Sequence, residues 1–144
     1  MISGPVVVDA SVVVEYLVEL GLSREASLLF GRLLAPDGPV QLWAPDLIFP
    51  ESVLALRKLV ARESIGPRAG DRAVSHLTRL PISATGTAGL VHEAWGLRGA
   101  VTVYDACYVV LARRLRAPLV TADRKLARAM ARRAHVVLLN DLRE

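Results

Sequence analysis

The sequence predicts an α/β fold organised around a mostly parallel sheet, and three observations predict it. Short β-branched runs alternate with stretches of helical periodicity along the chain, which is the pattern of strand–helix units wrapped on a parallel sheet. Two of the runs, Pro5 to Asp9 and Leu119 to Asp123, are apolar and stop at an acid. The third observation is an apolar stretch of helical length, Val101 to Ala112, that carries a single carboxylate, Asp105.

The elements follow in order. Pro5-Val-Val-Val-Asp9 reads as a buried strand that feeds a helix running through about Glu19. Asp9 then lies at the carboxyl end of a central strand, where open α/β sheets place their ligands. Asp9 or Ser11 can also cap that helix, and Ser11 suits the role better because it leaves Asp9 free. Residues 22 to 35 show Leu22, Ala26, Leu29, Phe30, Leu33 and Leu34 at helical spacing, and Pro36-Asp37-Gly38-Pro39 breaks the pattern. A short strand is expected from Val40 to Trp43. After Pro45 a third helix runs to about Glu63, with Pro50 tolerated in its first turn. Glu51 shares a face of this helix with Leu47, Ile48, Leu54 and Ala55, a core-facing stripe by its spacing.

Gly66-Pro67 ends that helix, and residues 68 to 79 form another whose polar side carries Arg68, Arg72 and Arg79. A strand is expected over Pro81 to Ala84 and a helix over Thr87 to Leu97, closed by Gly96 and Gly99. The Asp105 helix follows. Leu119 to Asp123 repeats the logic of the first strand, a basic helix extends from about Arg124 to Arg133, and Val136 to Leu139 is the last strand. There is no linker, repeat or low-complexity segment, so residues 1 to 144 are expected to form one domain.

Composition narrows the class. Hydrophobic residues make up 53% and the mean hydropathy is +0.38, which argues for a packed core. No apolar run reaches the roughly 18 residues of a membrane span. The N-terminus has no basic leader, so a cytoplasmic protein is expected. Cys107 is the only cysteine, which excludes an intrachain disulfide and a cysteine-cluster zinc site and fits a small buried hydrophobe. The net charge is +4, and half of the cations lie in the last third of the chain, from Arg113 to Arg143. This suits a polyanionic partner and equally suits solvated helix faces.

Asp105 has two readings. Thr102 followed three residues later by an acid fits a capping box. Alternatively, Asp105 meets other acids in space, and an ionised carboxylate in an apolar helix then calls for a cation beside it. Asp9, Glu51, Asp105 and Asp123 have contexts that permit such convergence, and Glu15 on the first helix could join them. Clustered carboxylates raise one another's pKa, and a hard divalent cation such as Mg²⁺ or Mn²⁺ resolves the repulsion with oxygen ligands. Such an ion supports hydrolysis of a phosphodiester by an activated water. His76, His92 and His135 are scattered over different elements, and no phosphate loop, dinucleotide fingerprint or nucleophile elbow is present.

VVVDAS, PESVLALRK, TVYDACYVVLA and LVTADRKL, in this order and at these spacings, resemble the PIN-domain ribonucleases, and most closely the VapC-type toxins of bacterial toxin–antitoxin pairs. The resemblance implies a three-layer α/β/α PIN fold and a Mg²⁺- or Mn²⁺-dependent endoribonuclease acting on single-stranded RNA. It implies that Asp9, Glu51, Asp105 and Asp123 form the acidic quartet, with Asp9 and Asp105 as principal metal ligands. Thr121, in the T-x-D motif, would orient an acid or the scissile phosphate, as Ser11 would from the first motif. A homodimer is further implied, with a VapB-type antitoxin that occupies the active-site groove and contacts DNA on the toxin's behalf. The same fold would also accommodate a non-catalytic RNA- or protein-binding module, or a nuclease outside a toxin pair.

Overall fold

Val6, Val7 and Val8 are completely buried, as expected for a β-branched run paired on both edges, and they form the central strand β1 (Gly4–Val8) of a computed structural model that describes residues 2–19, 21–34 and 38–142. The elements that follow are α1 (Ala10–Val18), α2 (Ser23–Leu34), β2 (Val40–Pro45), α3 (Ile48–Ala61), α4 (Pro67–Leu77) and β3 (Ile82–Thr85). After a single 3₁₀ turn at Thr87–Gly89 come α5 (Val91–Trp95), α6 (Val103–Leu115), β4 (Leu119–Thr121), α7 (Arg124–Met130) and β5 (Val136–Leu138). Among the described residues no helix is long and apolar enough to cross a membrane.

The five strands form one parallel sheet in the order β3-β2-β1-β4-β5. Val6 pairs with Leu42 and Val7 with Trp43 on one edge of β1, while Val7 and Val8 pair with Leu119 and Val120 on the other. From β1 the chain steps to β2 and β3 in one direction, then crosses to β4 and β5 in the other. Right-handed crossovers therefore put α1 to α4 on one face and α5 to α7 on the opposite face. The packing agrees: α1 contacts α2, α3 and α4, whereas α6 lies against β1, β2 and β4. This is the expected three-layer α/β/α arrangement.

Reversal of direction between β1 and β4 makes their carboxyl ends the topological switch point, the place where such sheets open a crevice. Asp9 immediately follows β1 and Asp123 lies two residues beyond β4. The segment of α6 from Ala106 to Ala112 is buried at every position, so this helix is the main apolar layer on its side.

Several expected boundaries move. The helix expected over Thr87 to Leu97 breaks into the 3₁₀ turn and the short α5, and the basic helix ends at Met130 in place of Arg133. Part of the Pro36-Asp37-Gly38-Pro39 break lies outside the described residues. Pro50 does sit in the first turn of α3, where its missing N–H has no helical partner to lose. The stripe containing Glu51 is core-facing only in part: Ile48 is buried and Leu47 and Ala55 pack against core residues, but Leu54 is 47% exposed, and Ser52, Leu56 and Leu59 face inward beside it. The face of Glu51 borders a groove.

Candidate active site

All four predicted acids stand at helix N-termini. Asp9 is the N-cap of α1 and Asp123 the N-cap of α7, while Glu51 and Asp105 occupy the first turns of α3 and α6. Exposed amides and aligned peptide dipoles make each such end favourable to negative charge. Asp105 takes part in the cap, its amide donating to Thr102 Oγ1 at 3.2 Å, and its carboxyl also feels the charge of Asp123.

Asp9 is 7% exposed and held from three directions. Its Oδ1 accepts from Ser11 Oγ at 2.5 Å and from the Val12 amide at 3.3 Å, and its Oδ2 accepts from Thr121 Oγ1 at 2.5 Å. Burial raises the carboxyl to about 6 despite these donors, and the charge of Asp105 adds to the rise. Thr121 is itself completely buried, and its hydroxyl also accepts from the Asp123 amide at 3.0 Å. Ser11 Oγ accepts from the Ala122 amide at 2.9 Å. The loops after β1 and β4 are thereby tied to each other through two hydroxyls.

Glu51 is half-buried, and its Oε1 accepts from Tyr108 Oη at 2.8 Å. Burial pushes its carboxyl above the ordinary value, the tyrosine bond opposes this, and Asp105 adds to it. Asp105 is raised by burial first and by Asp123 second. Asp123 is more exposed, and its Oδ1 accepts from the amides of Lys125 at 2.8 Å and Leu126 at 3.2 Å. Asp105 is consequently the hub: its charge acts on Asp9 and Glu51, and that of Asp123 acts on it.

Sequence reasoning does not single out Tyr108, which lies within the apolar run that carries Asp105. Its spacing of three from Asp105 on α6 was the available signal, since residues so spaced share a face. Burial and the charge of Glu51 hold the phenol far above its ordinary pKa, so it stays protonated and donates to the glutamate. Glu15 behaves differently from the four acids. It lines the groove beside Glu51, but its Oε2 accepts from the Leu22 amide at 2.8 Å and secures the entry to α2.

No side-chain cation answers the charge of Asp105: among the described residues the ion pair present joins Arg114 to Glu93 at 2.6 Å, and it involves none of the four acids. Nor, among the described residues, do three or more carboxylate, imidazole or thiol groups stand together closely enough to enclose a metal ion by themselves. The donors that are present are all oxygens, and three of them are raised in pKa by burial and mutual repulsion. This fits a hard divalent ion of the magnesium type, which takes one or two carboxylates and keeps several waters.

A family model described as PIN domain matches residues 6–131, a span that includes all four acids. A VapC ribonuclease of Mycobacterium bovis is 34% identical over 122 residues, covering 85% of this chain and 88% of that protein. Ribonuclease VapC12 of Mycobacterium tuberculosis is 31% identical over 134 residues, covering 93% of this chain and 98% of that protein. Ribonuclease VapC1 of the same species is 38% identical over 128 residues, covering 85% and 89%. Among solved structures, PAE2754 from Pyrobaculum aerophilum superposes with a TM-score of 0.67 at 20% identity, covering 96% of this chain and 93% of the other. The sarcin–ricin loop cleaving toxin VapC20 of Mycobacterium tuberculosis superposes with a TM-score of 0.61 at 17% identity, covering 86% and 94%.

Proposed function

Since this chain belongs to the PIN-domain family and, within it, to the VapC ribonucleases, we infer that it is the endoribonuclease toxin of a toxin–antitoxin pair and that Asp9, Glu51, Asp105 and Asp123 are its catalytic acids. The observation that supports this assignment is the mutual electrostatic influence of these acids near the sheet's switch point, where among the described residues no basic side chain pairs with them. The substrate is RNA, the reaction is hydrolysis of a phosphodiester bond, and the chain works as one PIN domain.

Asp9 and Asp105 would hold Mg²⁺ or Mn²⁺, with Glu51 and Asp123 completing the site directly or through water. When bound, the ion lowers the pKa of water and neutralises charge that builds on the scissile phosphate. Asp9 is aimed by Ser11 and Thr121, whose donated protons favour its ionised form. Thr121 also fixes the Asp123 amide, so one hydroxyl positions two of the acids. Tyr108 holds Glu51 at the mouth of the groove. The helix N-termini stabilise the same negative charge before any substrate arrives.

The partner of such a toxin is a VapB-type antitoxin, through which contact with DNA would be indirect, and the family resemblance supports a homodimer. Cleavage of a mixed RNA pool with Mg²⁺, with Mn²⁺ and with EDTA, beside the Asp105→Asn variant, tests the reading. Cutting that requires metal and disappears in the variant is the expected result. Metal-dependent cutting by Asp105→Asn would remove that residue from the site, and RNA binding without cutting by the wild type would favour a module that acts by occupancy.

A further inference from the structure

The chain has 18 Lys and Arg residues, and its only lysines, Lys58 and Lys125, both border the acidic site. Two grooves border the acids, one at Glu51 and the other at Asp105 and Asp123. One, of about 450 Å³, runs from Ser11 and Glu51 past Leu54 to Lys58 and Arg62. The other, of about 570 Å³, contains Asp105 and Asp123 together with Arg98 and Lys125. Arg128 and Arg132, in the basic stretch after Asp123, line neither groove.

Along α3, Glu51, Leu54, Lys58 and Arg62 recur at spacings of three and four, so one helix face passes from acid to apolar surface to cation. At the helical rise, Lys58 stands roughly 10 Å along the axis from Glu51. None of the four groove cations forms an ion pair among the described residues. Arg62 Nε donates to the neutral Ser64 Oγ at 3.2 Å, and Arg98 lies 4.5 Å over the exposed ring of Trp95 while donating to the Trp95 carbonyl. Their charges are uncompensated on both sides of an acidic centre that would itself repel a phosphate chain.

Resting on the ribonuclease reading, we propose that the RNA strand passes across the acids from one groove into the other, with Lys58 and Lys125 holding the phosphates on either side of the scissile one. Leu54 supplies an apolar surface for a base or ribose on the first side, and Arg62 and Arg98 extend the track at its two ends. An ammonium on a flexible stem suits this task, because it follows a mobile phosphate as a point charge without the fixed fork of a guanidinium. Cations on both sides keep the strand in register over carboxylates that neutralise only when the metal is present.

The test measures binding of a labelled single-stranded oligoribonucleotide in EDTA over a salt series, with wild type, Lys58→Gln, Lys125→Gln, the double variant and Arg68→Gln on α4 as a remote control. Each lysine variant is expected to flatten the slope of log affinity against log salt by roughly 0.7, and the double variant by about twice that. Arg68→Gln is expected to leave the slope unchanged. An oligonucleotide shortened from one end should lose its sensitivity to one lysine and retain it to the other. Melting temperatures verify folding, and cleavage of the same RNA with Mn²⁺ is followed in parallel. Unchanged slopes for both lysine variants, with a wild type that still cleaves, overturn the track and leave the ribonuclease reading standing. Lysine-dependent slopes with an RNA the wild type leaves uncut uphold the track and overturn the catalytic reading.

Discussion

Thr121 Oγ1 donates to Asp9 Oδ2 at 2.5 Å across 112 positions of sequence, and this bond joins the carboxyl ends of β4 and β1 at the point where the sheet reverses direction. Because the same hydroxyl accepts from the Asp123 amide, it couples the acid after β1 to the acid after β4. The pair lies in a buried setting, where such bonds are stronger and where losing one leaves a costly orphan.

Thr121→Val keeps the shape and removes the hydroxyl. Asp9 then loses one donor and the Asp123 amide loses its acceptor, at a cost of about 1–3 kcal/mol. Cleavage should fall by about 10- to 100-fold, the usual penalty for removing a group that orients a ligand. Chemical denaturation with parallel kinetics reads both effects, and Thr121→Ser should recover most of the activity.

Asp9→Asn should abolish cleavage and stabilise the metal-free protein at neutral pH. The folded carboxyl lies at about 6, against an ordinary value of 3.8. Between those values the native state binds the proton and the unfolded state releases it, so stability falls as pH rises through the window and is constant above it. The difference is worth about 3 kcal/mol at neutral pH. In EDTA, denaturation midpoints of wild type and variant should therefore separate as pH rises from 3.8 to about 6 and stay apart above that, and a constant separation at all pH values would contradict the cost of burying this charge.

Tyr108→Phe retains the buried ring and deletes the donor to Glu51. The tyrosine bond opposes the upward shift that burial imposes on Glu51, so its loss lets the glutamate protonate at higher pH. The acid limb of the pH–rate profile should move upward, with activity at neutral pH down by about 10- to 100-fold. A profile that falls in height without moving would assign Tyr108 to packing alone.

Divalent metal should raise the melting temperature, since an ion that binds only the folded state stabilises it by mass action, by about 2.7 kcal/mol at a hundredfold excess over Kd. Mn²⁺ and Mg²⁺ are expected to do so with the wild type, and EDTA should reverse the change. Asp105→Asn should respond weakly or not at all, because it removes the carboxylate whose charge acts on both Asp9 and Glu51. A full response from that variant would move the ion away from Asp105.

The sequence by itself determined the alternation of strand and helix, the parallel sheet, the burial of the Asp105 helix and the identity of four acids in contexts that allow them to meet. These are local properties: period, β-branching, strand-end position and cap chemistry are written within a few residues of each other. The tertiary structure decided what those patterns leave open. Placing β4 beside β1 brings Thr121 to Asp9. Packing α6 across the sheet brings Tyr108 to Glu51 over 57 positions of sequence. The exposed Leu54 turns a stripe that reads as core into the wall of a groove, with Lys58 at its end. Sequence spacing fixes which side chains share a face of one helix, whereas only the packing of that helix fixes what the face meets.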